Sequence, residues 1–204
     1  QGRLLEARAI FRELNSGARE QRMVIQTELC NESAWVEQFF DFGEAEQIAQ
    51  RALRLARRSG TMNAQAQALI ALAMSSMLAG KLEQVTRWVR QALACYATPR
   101  GVSYQWTAHQ AAALLVETGE LDEAIKLLDQ AVSFYQGLGD QEYGYSLSAR
   151  AACHALLGDL SAAKNDYAAT RSLKVGGSHQ VLLLRHGVRV HHALNELAEA
   201  QSCA

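Results

Sequence analysis

Few side chains in this sequence have the types and spacing that chemistry needs. His186, His191 and His192 cluster late in the chain. Zinc wants imidazoles that converge on one point with further ligands to complete a tetrahedron. His186 and His191 stand five residues apart and leave a helix on different faces, with no carboxylate–histidine ligand spacing around them. No metal is expected there. Cys30, Cys95, Cys153 and Cys203 are far apart, follow no metal or redox spacing, and read as free, buried thiols of a reducing cytosol. Gly176-Gly177 lacks the Lys-Ser/Thr that a phosphate loop requires and reads as a helix stop. Serine, histidine and acidic residues occur without a nucleophile motif. No catalytic residue and no cofactor is expected, and the chain does not read as an enzyme. One pair remains. Arg185 and Arg189 lie four apart, hence on one helix face, where two guanidiniums suit a carboxylate or another acid.

The elements that carry such residues repeat. Gly119-Glu120-Leu121-Asp122-Glu123-Ala124 opens an amphipathic stretch with Leu121, Ala124, Leu127, Leu128 and Ala131 on one face. Its relatives are anchored at Gly2, Phe40, Gly80, Gly119, Gly158 and Asn195, at spacings of 38, 40, 39, 39 and 37 residues. Two residues past each anchor stand Leu4, Phe42, Leu82, Leu121, Leu160 and Leu197, all apolar. Five past stand Ala7, Ala45, Val85, Ala124, Ala163 and Ala200, all small or short-branched. Seven before stand Ser33, Ala73, Ala112, Ala151 and Val188. Small residues on both flanks of a turn let two helices approach within the usual packing distance. The second copy is the odd one, with Phe40 at the anchor and Gly43 displaced, so its turn must be built differently.

The 204 residues are 49% hydrophobic with a single proline, and their alanine, leucine, glutamine, glutamate and arginine favour helix almost everywhere. Leading helices are expected over 18–39, 63–79, 102–118, 141–157 and 179–194. Trailing helices are expected over 44–58, 81–96, 120–136 and 159–174. Pro99 and Gly176-Gly177-Ser178 should act as stops between pairs. Nothing resembling a linker interrupts the pattern, so residues 1–204 read as one repeat domain of about five repeats, incomplete at both ends. Gln1 to about Asn15 look like a second helix without its first, and the chain stops 9 residues past its last anchor. A fragment of a longer array is the expectation, because terminal repeats usually carry polar caps. A formal net charge of −1 gives no electrostatic footprint for nucleic acid or for an anionic membrane. There is neither an apolar run of spanning length nor a visible signal peptide, and a cytoplasmic location is expected.

Helix pairs with small packing residues and Gly-Glu or Gly-Asp at the turn, as in Gly119–Ala124 and Gly158–Ala163, resemble tetratricopeptide (TPR) repeats. The resemblance covers essentially the whole chain. The period, at 37 to 40, exceeds the usual 34. The longer helices, as in Ala45–Gly60, are similar to the sensor half of MalT-like bacterial transcription regulators, and also to peptide-sensing regulators and kinesin-light-chain scaffolds. The resemblance implies an all-α fold, a right-handed α–α superhelix of TPR-like hairpins with a concave groove lined mainly by the leading helices. At the family's groove-facing offsets stand Met74, Met77, Trp106, His109, Tyr145, Arg185 and Arg189. Two methionines and two aromatics suit an adaptable ligand surface. Each also has a plainer reading: the methionines as core, the aromatics as caps on neighbouring helices, the arginines as a solvated face. The Lys/Asn pattern that clamps a chaperone's terminal carboxylate in co-chaperone TPRs does not stand at these offsets. The implied function is a ligand- or protein-binding module, the sensor segment of a bacterial signalling or transcription regulator. It would hold a peptide, protein or small effector in the groove, with neither nucleic acid nor membrane as direct partner. The alternative is a passive protein–protein scaffold, or self-association through open repeat ends.

Overall fold

A computed structural model describes residues 2–17, 23–98 and 100–203. Among the described residues the chain is all α-helical, with eleven helices in consecutive pairs. They are α1 (Gly2–Gly17), α2 (Met23–Glu37), α3 (Phe42–Ser59), α4 (Met62–Leu78), α5 (Leu82–Ala94), α6 (Val102–Thr118), α7 (Leu121–Tyr135), α8 (Asp140–Leu157), α9 (Leu160–Thr170), α10 (Gly177–Ala193) and α11 (Leu197–Cys203). Two compact units form, unit 1 over Gln1–Thr107 and unit 2 over Ala108–Ala204, the boundary falling within α6. The expected start of the first leading helix, residues 18–22, and the stop at Pro99 lie outside the described residues.

In unit 1, α3 packs on α2 and α4, and α5 packs on α4. The amphipathic α3 turns Ala45, Ala49, Ala52, Leu53 and Ala56 inward and keeps Glu44, Arg57 and Arg58 near its ends, where each sign suits the helix dipole. The leading helix α4 is apolar nearly all round, and Ala64, Ala66 and Ala68–Ala73 are buried. A helix without a polar face must be covered on several sides, and stacking between trailing helices does that. In unit 2, α8 packs on α7, α9 and α10, while α11 closes on α10. The small column five past the anchor is core in both units: Ala45, Val85, Ala124 and Ala163 are wholly buried. The apolar column two past the anchor behaves otherwise. Leu4, Phe42, Leu82 and Leu160 stand in the first turns of their helices and are exposed.

The turns explain the anchors. Gly80, Gly119, Gly158 and Asn195 have φ of 72°, 82°, 83° and 61°, the left-handed region. In each, the residue after the anchor donates its N–H to the carbonyl five back: Lys81 to Ser76 (2.8 Å), Glu120 to Leu115 (3.0 Å), Asp159 to His154 (3.0 Å) and Glu196 to His191 (2.8 Å). This is the Schellman closure, which satisfies carbonyls that a helix end leaves open. The Phe40 copy is indeed built differently. Asp41 N–H bonds Glu37 four residues back (2.8 Å), and the Asp41 carboxylate then caps α3 by accepting from Gly43 and Glu44 N–H.

Two expectations need correction. The helix predicted over 159–174 ends at Thr170, where the Thr170 hydroxyl bonds Tyr167 C=O (2.6 Å) and the Ser172 hydroxyl bonds Ala169 C=O (3.0 Å). Such back-bonding competes with helix continuation. With α9 already finished, Gly176 and Gly177 stop nothing: Gly176 is the N-cap of α10 and Gly177 its first residue.

Candidate functional site

The most developed polar cluster belongs to unit 2. Glu117 is the single carboxylate of α6 and sits in its last turn, where the dipole disfavours a negative charge. Two arginines of α10 offset that. Arg189 makes a bidentate pair, Nη1 to Oε1 at 2.6 Å and Nη2 to Oε2 at 2.5 Å. Arg185 Nη2 adds a bond to Oε2 at 2.7 Å. The side chain of Glu117 is 12% exposed, against 28% for Arg189 and 44% for Arg185. Burial alone would push the Glu117 carboxyl up, but the Arg189 hydrogen bonds and the fields of Arg189 and Arg185 hold it below the usual carboxylate range. The Glu117 hydrogen bond in turn raises Arg189. Two guanidiniums against one carboxylate leave this cluster one positive charge in surplus.

A buried aromatic and polar stack accompanies it. Tyr145 and His186 lie tilted at 46° with ring centroids 6.0 Å apart, and Tyr145 meets His109 edge-on at 5.2 Å. Ser148 Oγ donates to Tyr145 C=O (2.9 Å), so at the 2.9 Å contact with His186 it is Nδ1–H that donates to Oγ. Burial, then the field of Arg189, pushes the His186 imidazole down to about 3, so it is neutral at physiological pH. Burial raises the Tyr145 phenol above its ordinary range. Neither ring is poised to trade protons near neutrality.

The sequence-derived groove residues therefore separate. Arg185 and Arg189 reach the surface together. His109 and Tyr145 are buried, with 0% and 2% exposure, and support rather than line a surface. Met74, Met77 and Trp106 belong to unit 1 and are half-buried; Trp106 packs edge-on against Trp35 of α2 at 6.1 Å. Sequence reasoning missed Glu117, His186 and Trp35 as participants. A signal for Glu117 existed: it is the sole formally charged residue in α6, placed at the end where only a cation makes it comfortable. The histidines reach no common point. His186 serves Ser148, while His191 Nδ1 bonds Glu196 Oε2 at 2.8 Å. All four cysteines are free, two of them buried. No described helix is long and apolar enough to cross a membrane.

No family model matches the sequence. No curated protein matches it either. Solved structures do share its fold. A Rap protein complexed with Competence and Sporulation Factor superposes with a TM-score of 0.79 at 12% identity, covering 100% of this chain and 58% of that one. BtubC (BKLC) from P. vanneervenii gives 0.66 at 16% identity, covering 100% and 86%. A putative kinesin light chain with nearly identical TPR-like repeats from Podosopora anserina gives 0.63 at 17% identity, covering 85% and 89%. The chain thus spans little more than half of the Rap protein. At such identities what is shared is the architecture, an α-solenoid of TPR-like helix hairpins.

Proposed function

We propose that this chain is a TPR-like binding module that docks an acidic segment of a peptide or protein, or a small acidic effector, on the leading-helix surface of unit 2 through Arg185 and Arg189. The observation that carries this reading is the charge surplus of the arginine pair around Glu117. Glu117 acts as a resident carboxylate that occupies the forks, and an incoming acid uses the same donors in partial exchange. That a Rap protein of the same fold is found in a complex with Competence and Sporulation Factor supports reading such a solenoid as a docking surface. On this view the segment is the sensor part of a bacterial signalling or transcription regulator of the MalT-like kind, and it performs no catalysis.

The test is titration calorimetry with short acidic peptides and dicarboxylates. Binding should be present in the wild type, tighter in Glu117→Gln, where both forks are released, and lost in Arg185→Ala/Arg189→Ala. Absence of binding in both the wild type and Glu117→Gln sinks the acidic-ligand reading. One observation favours the alternative of a passive scaffold without small-molecule sensing: Glu117 already engages both arginines. In that case the pair is a strut.

A further inference from the structure

A concavity in unit 2 shares no residue with the arginine cluster. It measures about 280 Å³ and lies among α9, α10 and α11. Its floor is apolar: Tyr167, Val190 and Leu194. The Tyr167 ring is fixed from three sides. Gly187 lies so close that a Cβ there would come within 2.0 Å of the phenol oxygen. The His191 ring stands edge-on at 5.2 Å, and Cys203 Sγ is 3.6 Å from the hydroxyl.

The rim carries charges sorted by sign. Lys164 and Arg171 come from α9 and the residue that follows it. Glu196 and Glu199 come from the α10–α11 turn and from α11. Glu196 is already engaged, by His191 Nδ1 at 2.8 Å and by Lys164 Nζ at 3.9 Å. The Arg171 guanidinium and the Glu199 carboxylate make no hydrogen bond or ion pair with any described residue. One unspent cation, one unspent carboxylate and an apolar floor thus line one cavity. Its volume falls just short of the roughly 300–1,000 Å³ typical of drug-sized ligands, so it suits a single small metabolite rather than a peptide.

We propose that this cavity binds a free α-amino acid with an apolar side chain, of the leucine or methionine class. The carboxylate pairs with Arg171, assisted by Lys164, the ammonium with Glu199, and the side chain lies on Tyr167, Val190 and Leu194. Bidentate pairing of guanidinium with carboxylate fixes one end, and a cation on the α9 side with a carboxylate on α11 sets the direction. Apolar burial then selects the side chain.

Calorimetry and thermal shift on the 204-residue chain test the proposal, with L-leucine and L-methionine as probes. Two truncated analogues go beside them: 4-methylpentanoate, which lacks the ammonium, and isoamylamine, which lacks the carboxylate. Both amino acids should bind and raise the melting temperature, and each analogue should bind about tenfold or more weakly, the loss of one charge-assisted pair. Arg171→Ala and Glu199→Gln, both exposed positions whose helicity circular dichroism verifies, should each weaken leucine by a similar factor. Gly187→Ala, which displaces the Tyr167 ring, should remove binding. The proposal is overturned if neither amino acid gives heat or a shift. It is equally overturned if leucine binds Arg171→Ala and Glu199→Gln as well as the wild type, or if the analogues bind as tightly as leucine.

Discussion

Each unit holds a carboxylate at the C-terminal end of a leading helix between two arginines four residues apart, and the two clamps do different work. In unit 1 it is Glu37, the last residue of α2, with Arg8 and Arg12 of α1. Arg8 Nε bonds Glu37 Oε2 at 3.0 Å and its Nη2 bonds Oε1, while the guanidinium also lies over the Phe40 ring at 4.4 Å. Arg12 turns mainly to Glu44, at 2.7 Å. Two cations meet two carboxylates, and the hydrogen-bonded partners are 25 to 32 residues apart, on α2 and α3. In unit 2 two cations meet one carboxylate, and the partners are 68 and 72 residues apart. The first clamp is neutral and ties α1 to the two helices that follow it. The second ties leading helices that are not consecutive and keeps a charge to spare. A balanced cluster is a staple; the surplus charge of the second is what the proposed acidic ligand would use.

Acid should separate the two units most. All six histidines lie in unit 2 and all three tryptophans in unit 1. His186 in the folded chain stays neutral down to about 3, whereas an unfolded histidine protonates near about 6.5. The unfolded state therefore binds the proton first, and stability falls as pH drops through that window. Glu117, whose carboxyl is held low, adds stability that is present above the ordinary carboxylate range and is lost as pH falls through its folded value. Both effects belong to unit 2. Far-ultraviolet circular dichroism should fall during acidification before tryptophan fluorescence changes, and His186→Asn should bring the two curves together. Coincident curves in the wild type would erase the distinction between the units.

Packing should make no such distinction. Ala45 and Ala124 occupy the same repeat position and are equally buried, so Ala45→Trp and Ala124→Trp should each cost about 3 kcal/mol, read from denaturant midpoints. A marked inequality would mean that the repeat column hides two environments. Removing the unit 2 clamp comes next. Arg185→Ala/Arg189→Ala leaves a mostly buried carboxylate without its donors, a loss of about 2 kcal/mol at neutral pH that should shrink as the solution is acidified. The smallest effect is expected for Arg12→Ala. Its main partner Glu44 is solvent-accessible and Arg8 still holds Glu37, so the change should stay within about 1 kcal/mol and vanish in high salt.

What could be read from sequence follows the range of the forces. The hairpin turns were legible because one residue decides them: a left-handed backbone at Gly80, Gly119 and Gly158 leaves a glycine in the text. Helical span was legible to within a few residues wherever apolar period and turn agreed. It failed at α9, where hydroxyls of Thr170 and Ser172 turn back on their own helix and the periodic pattern runs on regardless. The Arg185/Arg189 pair could be found from its spacing and assigned a carboxylate as its proper ligand. That Glu117 would be that carboxylate could not, because nothing local links positions 68 and 72 residues apart. Burial of His109 and Tyr145 was likewise hidden, since offset counting along a helix does not reveal how closely the next leading helix approaches.

The recurring closure at Gly119 and Gly158 has a genetic consequence. Both turns present the same left-handed hinge, the same five-residue carbonyl bond and the same backbone bonds into the following helix, 39 residues apart, although Asp159 also caps its helix with its side chain. A deletion that fuses the chain before Gly119 to the chain from Gly158 onward would recreate one turn out of two and leave every later residue in phase. Duplication at the same points would lengthen the array just as silently. Phe40 and Asp41 form a junction of another gauge, so recombination there would join mismatched ends. The glycine turns are thus the natural splice points at which such an array can gain or shed modules.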